Sequence, residues 1–251
     1  MMEGRSRGPS TPTDRVARGL LSLLGLSAMF TLLSGCASVP AEDGEVYDPR
    51  QGINRKVQTF NDGADKFLLK PIARGYHFLT PDPLEKGISN FFRNLNTPWV
   101  AVNQLLQGKP KLAGHDTGRF LINSIFGIGG FLDVADGVTG LEPHQEDFGQ
   151  TLAVWGVPSG PYTVVPFLGP ATPRDGFGNL VGLFGYPVTY IDDDTLRVGL
   201  GIGNLVQTRA SFLSSEQLVR GDRYLFMRDA YLQRREFLIN DGEVEEDPFL
   251  D

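Results

Sequence analysis

The run FGQTLAVWGVPSGPYTVVPFLGPATP, residues 148–173, places 26 consecutive uncharged side chains between Asp147 and Arg174. Taken by length, it would cross a bilayer as one helix. Its composition forbids that. Gly149, Gly156, Pro158, Gly160, Pro161, Pro166, Gly169, Pro170 and Pro173 interrupt it, and each proline removes a backbone donor and crowds the preceding turn. The pattern predicts a helical turn or two over residues 150–155. An apolar hairpin-like excursion follows, YTVVPFL at 162–168, held between glycine and proline hinges. Such a loop is buried in protein, sits in lipid or lines a lipid path. Loops crowded with glycine and proline leave backbone groups unpaired in a core, so the last two readings are preferred.

Outward from this run the chain is helical. Residues 120–132 form a second uncharged stretch, FLINSIFGIGGFL, at the end of a helix predicted over 111–126, in which Arg119 and Asn123 stand one turn apart. A polar connection, 133–147, joins the two runs. Earlier, Ile53, Val57, Phe60, Ala64, Phe67 and Leu68 form the apolar stripe of an amphipathic helix, weakened at Gly63 and expected to end or kink at Pro71. Leu84, Ile88, Phe91, Phe92 and Leu95, then Trp99, Val102, Leu105 and Leu106, predict two short helices or one bent at Pro98. Phe60, Phe91 and Leu106 are assigned to a core. After Asp175 come short helical pieces around 180–184, an acidic turn at 192–194, a helix over 195–213 and a last strong helix over 222–240. Strand-like alternation is scarce and no internal repeat is present. The fold class is mostly α, built of many short, proline-bounded helices.

The N-terminus reads as an address. Arg5, Arg7, Arg15 and Arg18 precede a leucine-rich uncharged run over 19–35, the charged and apolar regions of a secretory signal. It ends in LSGC, residues 33–36, which resembles a bacterial lipobox with Cys36 as the lipidated residue. Several acyl chains would anchor the protein durably, at about 0.8 kcal/mol per buried methylene. Ala37 stands where an acidic residue would resemble an inner-membrane retention signal, so delivery to the outer membrane is expected. The predicted organisation is a signal peptide at 1–35, a lipidated tether at 36–47, one helical domain at 48–240 and an acidic disordered tail at 241–251. Beyond the signal, 19 basic side chains face 28 acidic ones. That balance argues against nucleic acid and against a basic patch docking on anionic lipid. Cys36 is the one cysteine, which excludes internal disulfides and multi-thiolate metal sites.

Catalytic signals are weak. Gly127, Gly129 and Gly130, and Gly199, Gly201 and Gly203, imitate nucleotide loops, but Leu132 and Asn204 occupy the sixth positions and no strand clearly precedes either. Ser159 falls one place late for a nucleophile elbow. His77, His115 and His144 are scattered, with no zinc spacing, and His144 beside Glu146 and Asp147 reads as a hydrogen-bonded surface group. Neither enzyme activity, cofactor nor metal is expected.

Ordered motifs carry a family resemblance. NR at 54–55, FND at 60–62, LKP at 69–71, SNF at 89–91, LQG at 106–108, GRFLIN at 118–123 and GIGGFLDV at 127–134 come first. EDFGQTL at 146–152, WGV at 155–157, GPY at 160–162, LGP at 168–170 and RD at 174–175 follow. In this order they resemble the MlaA (VacJ) lipoproteins over about residues 48–237. One departure stands at the start of the first helix, where DPRQGINR, 48–55, replaces the frequent DPLEGFNR.

The resemblance implies a ring- or disc-shaped helical lipoprotein in the inner leaflet of the outer membrane, on its periplasmic face, beside a trimeric porin. It implies a central amphipathic channel through which mislocalised phospholipid leaves the outer leaflet and passes to a soluble periplasmic carrier. Phospholipid is then a transported ligand, and no bond is made or broken. Within that picture Gly156 and Gly160 are the hinges of the hairpin. Asn61, Arg119, Asn123, Asp133, Asp147 and Gln150 are the candidates to line or brace the channel, with Asn61 restraining its opening. The competing readings are a scaffold lipoprotein that recruits partners without moving lipid and a membrane-bound lipid hydrolase.

Overall fold

The computed structural model describes residues 48–243. The signal, Cys36, the tether and most of the acidic tail lie outside them. The described chain is mostly α, as expected. Helix α1, Gln51–Ala64, runs into a π-helical turn, Asp65–Leu69, and on into α2, Lys70–Leu79. Helices α3, Asp82–Leu106, and α4, Pro110–Phe126, pack on each other. Short helices α5, Val134–Thr139, and α6, Phe148–Val154, lead to a two-stranded antiparallel hairpin, β1 Thr163–Val165 and β2 Gly169–Ala171, with Val164 opposite Pro170. Then come α7, Pro173–Gly185, α8, Asp194–Ser211, and α9, Arg223–Ile239. Helix α7 lies against α6, α8 against α2 and α3, and α9 against α6 and β2.

Two prolines lie inside helical segments. Pro71 neither ends nor sharply breaks the first helical segment. Proline lacks the N–H of an α-helical bond and its ring collides with the carbonyl four residues back; the π-helical turn, in which Lys70 N–H reaches Asp65 O, absorbs both problems one turn earlier. That turn is clamped from α8, where the Arg209 guanidinium donates to Asp65 Oδ1 and Oδ2 at 2.6 and 2.8 Å. Pro98 lies inside α3, which continues through it, so packing against α4 outweighs the ~3 kcal/mol that an interior proline costs. The connection 133–147 also holds α5, capped by the Asp133 carboxylate accepting from Asp136 N–H.

The polarity of the body is inverted. On α1, Asn54, Gln58 and Asn61 follow the 4, 3 spacing of one helix face; Asn54 and Gln58 are buried, while Ile53, Phe60 and Phe67 of the apolar stripe are exposed. On α4 the buried stripe is Ala113, Asp116, Arg119 and Asn123. The largest fully buried side chains are Gln104, Gln150, Asn54, Asn103, Thr151 and Asp116, all polar. Phe67, Phe78 and Leu168 stand 80%, 87% and 82% exposed. The core assignment of Phe60 and Leu106 is therefore corrected, at 51% and 41% exposure, and Phe91 is half-buried. The helical periodicity locates a stripe; it does not say which side faces inward. No helix among the described residues is long and apolar enough to cross a membrane.

Candidate functional site

A cavity of about 630 Å³ opens among α3, α4, α7 and α8 and the loop before α6. Such a volume falls within the range of ligand-binding clefts. Its wall mixes apolar Phe92, Trp99 and Leu183 with an amide-rich set, Asn90, Asn94, Asn96, Asn179, Asn204 and Gln207. Tyr186 also lines it, and its buried hydroxyl finds no partner among the described residues. A wall of neutral donors and acceptors beside aromatic carbon suits an amphiphile: amides solvate a polar head while the rings contact hydrocarbon.

Four of the channel candidates line this cavity: Arg119, Asn123, Asp133 and Asp147. Three of them form one cluster. Arg119 Nη2 donates to both Asp133 oxygens at 2.9 Å, Asn123 Nδ2 donates to Asp133 Oδ1 at 2.9 Å, and Arg93 Nη2 adds a bond to Asp133 Oδ2 at 3.1 Å. Burial would raise the Asp133 carboxyl, but the Asn123 and Arg119 hydrogen bonds and the Arg119 charge outweigh it and hold it below the usual range. Asn123 Oδ1 accepts from Ala135 N–H at 2.9 Å, tying α4 to α5.

Asp147 belongs to a second cluster. It caps α6 through Gln150 N–H at 2.9 Å and accepts from the Arg235 guanidinium of α9. Arg235 also donates to Asp175, on α7, which accepts from Tyr231 Oη at 2.8 Å and Arg174 Nε at 3.1 Å. Burial would raise Asp175, yet the Arg235 charge, the Tyr231 bond and the Arg174 charge hold it low. One guanidinium thus joins three helices around the cavity's edge. Gln150 does not line the cavity; it is 1% exposed and donates to Gln145 O.

Asn61 lies on α1, away from the cavity and against the hairpin. Its Nδ2 donates to Val165 O at 3.0 Å and its Oδ1 accepts from Phe167 N–H at 2.7 Å. Two helical turns earlier, Asn54 repeats the arrangement, with Nδ2 to Tyr162 O and Oδ1 from Val164 N–H, both at 3.0 Å. Two amides on one face of α1 thereby satisfy β1 as a neighbouring strand would. The hairpin's base is buried in protein, Tyr162 and Val164 packing with Tyr224 of α9, whereas the sequence favours a loop that sits in lipid or lines a lipid path. The asparagines remove the backbone penalty that argued against a buried loop. Its tip is exposed, with Phe167 at φ 63° stacking edge-on with Phe60 at 5.0 Å.

Gly156 and Gly160 flank the approach to β1, at φ 84° and 71°. Both angles lie in the left-handed region that favours glycine. A side chain at 160 would also meet Pro173 at 3.0 Å, whereas one at 156 would meet open space.

Asn54, Asp175 and Arg235 escaped notice as site residues. Asn54 and Asp175 stood in quoted motifs without a role, and nothing in the sequence pairs Arg235 with carboxylates 60 and 88 residues away. Among the described residues no serine hydroxyl hydrogen-bonds a histidine; Ser159 Oγ donates to Gly160 O.

Comparison with known proteins points to one family over nearly all of the described chain. Residues 46–238 match the family model of the MlaA lipoproteins. The chain is similar to the intermembrane phospholipid transport system lipoprotein MlaA of Escherichia coli (strain K12), 39% identical over 89% of this chain and 91% of that one. Its likeness to the Haemophilus influenzae protein of the same name is 34% over 93% and 94%. A solved structure described as the structural basis for maintenance of bacterial outer membrane lipid asymmetry superposes with a TM-score of 0.68, at 34% identity, covering 77% of this chain and 100% of the other. With its ordered motifs and its inverted polarity, this chain belongs to the MlaA lipoprotein family.

Proposed function

We propose that this protein is an outer-membrane lipoprotein that takes phospholipid from the outer leaflet through the polar cavity and passes it to a soluble periplasmic carrier. The observation that carries the reading is the inversion: the largest fully buried side chains are all polar, and phenylalanines and leucines cover the outside. An apolar exterior on a body that has no spanning helix among the described residues fits immersion in one leaflet, where acyl chains replace water. The amide-lined cavity then offers the headgroup a polar route through that body. Relatives named for intermembrane phospholipid transport support the same reading.

Cys36 anchors the chain through its lipid, on the periplasmic face, and a trimeric porin supports the body in the membrane. The hairpin acts as a movable segment, with Gly156 and Gly160 as hinges and Asn54 and Asn61 as latches. The protein needs no cofactor and breaks no bond; delivery is directional because the carrier removes lipid from the inner side. The acidic balance of the mature chain favours a carrier with a complementary basic face.

The test is extraction and mass spectrometry of lipid from the detergent-purified mature protein and from a variant whose residues 162–168 are replaced by a short polar linker. Intact phospholipid in the wild type, lost in the variant, is expected. Equal or absent lipid in both would leave a scaffold lipoprotein. Lysophospholipid or free fatty acid appearing on incubation would point to a hydrolase.

A further inference from the structure

One side-chain cluster on the cavity wall has chemistry that lipid passage does not use. Asp116 of α4 is 1% exposed, and its charged or titratable partners among the described residues are two imidazoles and no arginine or lysine. His144, from the loop before α6, places Nδ1 at 2.9 Å from Asp116 Oδ2, and His115 places Nδ1 at 3.7 Å from Oδ1. The His115 Nδ1 is buried and has no hydrogen-bond partner. A buried carboxylate without a fixed cation is costly, and a buried ring nitrogen without a partner adds to that cost. One divalent ion among the three groups would relieve both.

We propose that His115, Asp116 and His144 form a binding site for a divalent transition metal of the zinc class. One donor atom from each lies within 4.8 Å of the others. Tetrahedral zinc, with bonds of about 2.0–2.1 Å, holds its ligands about 3.3 Å apart, so modest side-chain rotations close the set. Two imidazoles and one carboxylate select zinc, copper or nickel over magnesium or calcium. Asp116 Oδ2 also accepts from Gln104 Nε2 at 2.6 Å, and Gln104 is fully buried, an outer contact of the kind that orients a ligating carboxylate. Asp116 and His144 line the cavity, so a fourth position would face it and accept water or an anionic oxygen. The site ties α4 to the loop before α6, across 28 residues of sequence, and does not depend on lipid passage.

The experiment uses the full-length protein in detergent, stripped with a chelator and titrated with Zn(II) by calorimetry. Co(II) is then added to a second sample as a spectroscopic probe. One equivalent of Zn(II), and visible Co(II) bands of a four-coordinate nitrogen and oxygen site displaced by Zn(II), are expected. His115→Gln and His144→Gln should each weaken binding about tenfold or more, while His77→Gln, which alters a surface partner of Glu85, should leave it unchanged. Absence of a stoichiometric site in the wild type, or wild-type affinity retained in His115→Gln and His144→Gln, would overturn the proposal and leave a hydrogen-bonded Asp–His pair. Where a variant fails to fold, the wild-type Co(II) spectrum decides.

Discussion

The wall of the cavity and the hairpin beside α1 are fastened by different bonds. At the wall, carboxylates meet guanidinium groups: Asp133 with Arg119 and Arg93, Asp147 and Asp175 with Arg235. At the hairpin, two neutral amides hold four backbone groups. Charge-assisted bonds contribute about 1.5–3 kcal/mol each and neutral ones about 0.5–1.5, so the wall is built to stay and the hairpin to let go. A lipid path needs both properties, a rigid cavity and a segment that yields at modest cost.

Removing the carboxylate at the centre of the Arg235 cluster, at the cavity's edge, would break the comparison most severely. Asp175→Ala leaves Arg235 and Arg174 without a shared partner in a buried setting, and a loss of about 3–5 kcal/mol is expected, read as a fall in the thermal unfolding midpoint. Acid is a gentler version of the same change. The Asp133 and Asp175 carboxyls sit below the usual range, so their stabilisation is complete above about pH 4 and is lost as pH falls through their lower folded values. Glu146 has the opposite sign, because burial pushes its carboxyl up and protonation favours its folded form. Denaturant titrations from pH 6 to 3 should therefore show stability falling below about pH 4, less steeply in Asp175→Asn.

The hairpin should respond on a smaller scale and locally. Asn61→Ala removes two neutral bonds and about 1–2 kcal/mol, so hydrogen exchange at the Phe167 amide should quicken by about 5–30-fold while exchange in α4 is unchanged. Equal quickening in both would mean that hairpin and wall are one cooperative unit. Gly156→Ala is a change of similar size that breaks no hydrogen bond. It meets open space but forces a left-handed residue, costing about 1–2 kcal/mol, and it stiffens the hinge. Together with Gly160→Ala it should alter outer-membrane lipid asymmetry; unchanged asymmetry would remove the hinge role.

Helix positions were legible because proline, glycine and apolar spacing punctuate them clearly, as at 110–126 and 223–239. Orientation was not. The spacing of Ile53, Phe60 and Phe67 is the same whether the stripe meets protein or lipid, which is why Phe60 and Leu106 were misassigned to a core. The polar stripe of Asn54, Gln58 and Asn61 was the available clue, since its amides sit at equally regular helical spacing. Arg119, Asn123 and Asp133 stand out in the sequence because they punctuate the uncharged runs, and they meet on the cavity wall. The pairing of Arg235 with Asp147 and Asp175, and of His144 with Asp116, depends on tertiary contacts that no local period encodes. Pro71 shows the same limit, since the π-helical turn that accommodates it is held by Arg209 from another helix.

The most direct measurement places a photoreactive residue at Asn179 or Asn204 in the cavity, and at Phe78 on the apolar exterior, in cells making the full-length protein. Lipid adducts are then identified by mass spectrometry. Intact phospholipid joined at all three positions is predicted, with adducts at Asn179 and Asn204 growing when the proposed periplasmic carrier is absent. Adducts at Phe78 alone would contradict the account, leaving a body that rests in lipid without conducting it.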